Sequence, residues 1–156
     1  MKLYEKEAKK LLEKRGLNIP GENGESYVVK AQVLASGRKK HGGIKFAESK
    51  AEAERLAEEM KDLEIRGHEV GNVLIEEQID IQEEYYIAFL WDTESRNPAM
   101  LFSIDGGSGI EDREVEKITL REENKFRNLP EDLRPVAKKL FEAFLEEDME
   151  FLEINP

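Results

Sequence analysis

The sequence predicts an α+β fold. Helical and extended apolar patterns both occur, they do not alternate as regular βαβ units, and the strand-rich stretches cluster in the middle of the chain. A length of 156 residues fits one domain or two closely packed subdomains.

Leu3, Ala8, Leu11 and Leu12 form an apolar stripe that predicts a helix over 2–15. Gly16 stands where a left-handed cap is wanted, and Pro20 prevents continuation. Gly21 to Gly24 reads as a turn, and 27–34, rich in valine, reads as a strand. A basic, glycine-containing loop runs from Ser36 to Gly43 and leads into a further extended stretch. Ser49 and Glu52 have capping-box spacing, and Ala53, Leu56, Ala57, Met60 and Leu63 then recur at helical intervals, predicting a helix over 50–63. Three apolar runs at 73–77, 85–91 and 99–104 suggest an antiparallel meander that Gly106-Gly107-Ser108-Gly109 breaks. After an irregular stretch, Pro130 suits the first turn of a third helix carrying Leu133, Val136, Ala137, Leu140, Phe141 and Phe144. Residues 151–156 read as a strand at a sheet edge, and Phe89, Trp91 and Phe102 read as core.

Charge narrows the function. There are 24 basic and 35 acidic residues, for a net charge of −11. That balance excludes a general nucleic-acid binder or an anionic-membrane binder, because both need clustered Lys and Arg. Without cysteine there is no disulfide, thiolate ligand or thiol nucleophile, and His41 and His68 make a poor zinc set. The start carries no apolar leader and nowhere do 18 apolar residues run together, so a soluble cytoplasmic protein is expected.

Any anionic ligand must therefore use a local basic site. From Ser26 to Ala47 there is no Asp or Glu, although the chain's average would place about five there, yet Lys30, Arg38, Lys39, Lys40 and Lys45 are present. With Gly37, Gly42 and Gly43 among them, two readings stand: a clamp for a triphosphate chain, or an exposed basic hairpin that offsets the acidic surface. It is not a Walker loop. A second cluster holds Glu76, Glu77, Asp80, Glu83 and Glu84. Glu76 and Glu77 must point to opposite faces of a strand, and one carboxylate could accept ribose hydroxyls; a solvated acidic turn is the other reading. Third, Glu153 and Asn155 share a face of the terminal strand and offer oxygens of the kind Mg²⁺ accepts.

In their order along the chain these pieces resemble the N-terminal ATP-grasp region of the succinyl-CoA synthetase β subunit and related ADP-forming acyl-CoA ligases, ATP-citrate lyase included. The likeness is carried by Met1 to Glu5 with Ala8-Lys9, Val28 to Val33, Gly37-Arg38 to Lys45, Val73 to Glu76, Asp80-Ile81, Glu84, Gly106-Gly107 with Ile110-Glu111, and Leu152 to Pro156. It implies two small α+β subdomains with mainly antiparallel sheets gripping ATP, shortened relative to the family. The basic-loop lobe would span roughly 23–72, and 1–22 with 73–156 would form the second. It further implies that Lys30 pairs with the phosphates of ATP or ADP and that Gly37, Arg38 and Lys39 cover them. Glu76 and Glu84 would face the adenosine part, the Ile79 backbone would lie near the adenine edge, and Asn155 would ligate Mg²⁺.

In that family a partner α subunit supplies the phosphorylated histidine, and the acyl phosphate passes its acyl group to CoA. The chain departs from the family at Lys39, where a second glycine is usual, at Gly109, where an acid is usual, and between Pro20 and Val28, where it is shorter. A second Mg²⁺ carboxylate and the CoA-ligase domain would lie past Pro156. The expectation is a nucleotide-handling portion, without catalytic residues of its own, that works with a CoA-binding α-type subunit or further segments. The competing expectation is a non-catalytic interaction or assembly module, with self-association through the terminal strand edge.

Overall fold

Tyr27, Val29 and Ala31 are buried while Val28 and Lys30 are only half-covered, so β1 (Tyr27–Ala31) has one dry face and one mixed face. The dry face packs on α2 (Lys50–Lys61) through Ala53, Ala57 and Met60. Helix α2 begins as its capping residues require: the Ser49 hydroxyl accepts the Glu52 amide at 3.2 Å, and the Glu52 carboxylate accepts the Glu48 amide at 3.0 Å. β2 (Ile44–Ala47) and β5 (Val73–Glu77) flank β1, both antiparallel to it, in the order β2-β1-β5. Between α2 and β5 a miniature hairpin pairs β3 (Glu64–Ile65) with β4 (His68–Glu69). Its turn residues Arg66 and Gly67 both have positive φ. This computed structural model describes residues 1–35, 37–107, 114–121 and 126–154.

α1 (Glu5–Lys14) ends as the sequence predicts, with Gly16 at φ 73° and the Leu17 amide returning to the Leu12 carbonyl at 3.2 Å. By contacts the chain divides once, into Met1–Asp80 and Ile81–Pro156. Residues 1–22 and 73–80 thus pack with the basic loop, whereas the sequence grouping put them with the second lobe. A second difference is that β5 pairs with β1 and takes no part in a meander with the two strands after it.

The second unit carries its own sheet, β8-β7-β6-β9, with every pairing antiparallel. It consists of β6 (Tyr86–Asp92), β7 (Asn97–Ser103), β8 (Glu116–Thr119) and β9 (Phe151–Ile154), so the meander is β6-β7-β8. Strand β8 falls in the stretch expected to be irregular. α3 (Leu133–Glu146) buries Ala137, Leu140, Phe141 and Phe144, and Phe89 lies 5.4 Å from Phe141 and 6.1 Å from Phe144 between ring centres. Phe89 and Phe102 are core as expected, but Trp91 is half exposed. Its ring leans on Phe144 and its indole N–H donates to the Met149 carbonyl at 3.0 Å, which fixes it at the rim.

Phe89→Ala should lower the stability of this second unit by about 3–5 kcal/mol, the usual cost of removing a buried aromatic ring. Urea unfolding followed by Trp91 fluorescence checks it, because Trp91 is the only tryptophan and sits against the same cluster.

Candidate functional site

Lys30 leaves β1 on the face opposite α2, the same face that carries Glu76, since Val28 lies opposite Glu76 and Lys30 opposite Leu74 across the β1–β5 pair. Docked on this face is α1. The buried Gln32 side chain accepts the Lys6 amide at 2.9 Å, satisfying a donor of the first helical turn that has no partner within the helix, and Leu12 is buried further along. That docking places Glu5 and Lys9, one turn apart, over the strand.

Five ionisable side chains from four segments, α1, β1, the loop that follows it and β5, meet there. Lys30 Nζ lies 3.0 Å from Glu5 Oε1 and 2.9 Å from Glu76 Oε2. Lys9 Nζ donates to Glu76 Oε2 at 2.6 Å and lies 3.1 Å from Glu5 Oε1. Arg38 spans the loop: Nη2 meets Glu5 Oε2 at 2.7 Å, and Nη1 donates to the Ala31 carbonyl at 3.0 Å. Three cations face two carboxylates, so the cluster carries one net positive charge. Burial pushes the Glu5 carboxyl up, but Lys30, Lys9 and Arg38 outweigh it and hold it at about 2. For Lys30 burial acts downward, and Glu5 and Glu76 outweigh it and raise the ammonium above its ordinary value.

The loop after β1 is a one-turn 3₁₀ helix, Arg38–His41, entered through Gly37 at φ 75° and left through Gly42 at φ 73°. Its amides turn inward: Lys40 donates to Gly37 at 3.1 Å, Gly42 to Lys39 at 3.4 Å and Gly43 to Arg38 at 2.8 Å. These three are thus spent on the loop itself, and it is the Arg38 side chain that reaches the cluster. Gly37 and Lys39 are exposed. His41 Nδ1 is 2.9 Å from the Gly37 carbonyl and serves the turn. Lys45 belongs to the other face of the sheet, 3.8 Å from Glu59 of α2. Ser36 lies outside the described residues.

Glu76 and Glu77 do point apart. Glu76 is 2% exposed inside the ion cluster, and Glu77 accepts the Gly21 amide at 3.0 Å. Ile79 follows β5 and is exposed. Glu84, in the second unit, is exposed too. Its carbonyl accepts the Gly106 amide at 2.8 Å, and its carboxylate lies against Gly107, where φ is 90° and an added Cβ would fall 2.3 Å from Oε2. Glu84, Tyr85, Ile104 and Asp105 line a shallow open cleft there. Glu153 sits on β9 with the Tyr86 hydroxyl donating to Oε2 at 3.3 Å. Gly109, Ile110, Glu111, Asn155 and Pro156 lie outside the described residues. Among the described residues no group of three His, Asp or Glu could hold a metal ion.

Glu5 and Lys9 received no role from the sequence. Their signal was nevertheless present: a 22-residue basic stretch without acids must find its counter-ions elsewhere, and a Glu–Lys pair four apart on the polar side of an amphipathic helix is one place to look.

A family match to the ATP-grasp domain covers residues 21–119. Among relatives, the succinate–CoA ligase [ADP-forming] β subunits of Methanocaldococcus jannaschii and Rubrobacter xylanophilus are 34% and 36% identical, over 100% of this chain and 52% and 50% of theirs. The chain thus spans about half the length of these relatives. Of solved structures, ATP citrate lyase from Methanothrix soehngenii aligns over 99% of this chain and 46% of that one, with a TM-score of 0.73 at 24% identity. The dinucleotide-forming acetyl-coenzyme A synthetase 1 of Ca. Korarchaeum cryptofilum, solved with coenzyme A and Ca-AMPCP, aligns over 99% and 85%, with a TM-score of 0.71 at 22% identity. These two establish likeness of fold.

Because the folded Glu5 carboxyl sits at about 2 against an ordinary 4.5, its stabilising contribution is complete above about pH 4.5 and is lost as pH falls toward 2. Glu5→Gln should therefore remove about 2 kcal/mol of the stability lost between pH 6 and pH 3, by the value of a pKa unit. Denaturant unfolding of parent and variant at pH 6 and pH 3, read by far-UV circular dichroism, measures it.

Proposed function

The chain belongs to the ATP-grasp domain family, and from that premise we propose that it binds Mg-ATP or Mg-ADP as the nucleotide-handling portion of an ADP-forming acyl-CoA ligase, similar to the succinyl-CoA synthetase β subunit. The observation that carries this reading is the convergence of Lys30 and Arg38, with Lys9, in a half-covered cluster of net positive charge on the face of β1 where α1 docks. In a chain of net charge −11, such a local excess is what a polyphosphate needs. Lys30 offers a compact charge that can move between oxygens, and Arg38 offers paired donors on a guanidinium anchored to the Ala31 carbonyl. In this reading Gly37, Arg38 and Lys39 cover the phosphates, Glu76 and Glu84 serve the adenosine part, and the Ile79 backbone meets the adenine edge.

Mg²⁺ would arrive with the nucleotide and take phosphate and water oxygens together with Asn155, offsetting phosphate charge alongside Lys30. The chain's own residues then bind and orient the nucleotide and shield its charge. Phosphoryl acceptance and transfer to the acyl group and CoA fall to a CoA-binding partner subunit or further segments, as the length of the relatives suggests.

Isothermal titration of the folded chain with Mg-ADP and Mg-ATP should show binding, and nucleotide should raise the melting temperature. Lys30→Ala should abolish that shift. If the parent shows neither effect, or Lys30→Ala leaves the shift intact, the phosphate assignment fails and a non-catalytic interaction module becomes the better reading.

A further inference from the structure

We propose that Glu5 is a displaceable internal anion, holding Lys30 and Arg38 in the place a polyphosphate takes when it binds. The inference rests on the phosphate-binding reading above and adds a regulatory residue to that site. Glu5 comes from α1, outside both the basic loop and the sheet, yet it holds Lys30 at 3.0 Å through Oε1 and Arg38 at 2.7 Å through Oε2. It therefore occupies the two cations assigned to phosphate.

The two carboxylates of the cluster differ in how easily they can leave. Glu76, with its side chain 3% exposed, is held by both Lys9 and Lys30. The Glu5 side chain, 22% exposed at the first helical turn, can swing outward by a rotamer change. Withdrawing it leaves α1 docked, because the Lys9–Glu76 pair, the Lys6–Gln32 hydrogen bond and the buried Leu12 are independent of Glu5. A triphosphate offers several charges and enough oxygens to give each cation its own acceptor, so it replaces a single carboxylate with a gain of charge-assisted bonds. Glu5 then keeps the cations paired and correctly aimed in the resting protein, and its competition weakens anion binding.

Titration calorimetry of the full chain with sodium tripolyphosphate tests this without nucleoside or metal. Glu5→Gln should bind the anion at least about tenfold more tightly than the parent, because the competing charge is gone. Equal or weaker binding by the variant, with binding by the parent intact, overturns the displacement and makes Glu5 a positioning residue, leaving the phosphate site standing. No binding by parent or variant overturns both the site and the inference. Should Glu5→Gln lose its native circular dichroism, Glu5→Asp keeps the charge on a stem one carbon shorter. It should bind about threefold more tightly than the parent, with equal or weaker binding again overturning the displacement.

Discussion

The first unit depends on the requirements of one buried carboxylate. Glu76 faces Lys30 on a sheet rather than water, and an ionised acid so enclosed is tolerated only with cations in direct contact. Lys30 supplies one from the neighbouring strand. The other, Lys9, can come only from a helix lying across the sheet, so satisfying Glu76 also fixes where α1 must lie. Once α1 is there, Glu5 is brought to Lys30 and Arg38, and Arg38 draws the loop down over β1. Helix, strand and loop are tied together by charge on one face of the sheet, while the opposite face is held by apolar packing on α2.

The family relationship gives this arrangement a chemical meaning. Only a cluster with more positive than negative charge can receive an anion without a large penalty, and this one has that excess while remaining partly open. The same excess explains why an acid-rich chain keeps a long stretch free of Asp and Glu: any carboxylate carried on the loop itself would stand beside the cations at all times. The acids that do pair with them come from elsewhere and are fixed to separate elements.

What the sequence made legible follows from what is local. The Ser49 cap, the Gly16 terminus, the opposed faces of Glu76 and Glu77 and the apolar stripe of α3 each depend on residues a few positions apart, and each stands in the structure. The partner of β5 was not legible, because alternation fixes which face of a strand is buried and says nothing about which strand lies beside it. β8 escaped because its only buried residue is Ile118, preceded by the charged pair Glu116 and Lys117, and β3 and β4 are too short to show a period. Trp91 was misread as core because its indole N–H finds a carbonyl at the rim. Within the site, Lys30, Arg38 and Glu76 could be named from composition and resemblance. Their contacts with Glu5 and Lys9 could not, since they arise only when an N-terminal helix crosses the sheet.

The ion cluster also bears on how the first unit assembles. Its links close sequence separations of 25, 33 and 67 residues, and chain closure over such spans is slow compared with helix growth or hairpin formation. α2 and the hairpin of β3 and β4 can form early from near neighbours, whereas the charges meet only after both ends of the unit have been gathered in. During synthesis, Lys9 emerges well before its buried partner, and the two can meet only once the segment carrying Glu76 has left the ribosome.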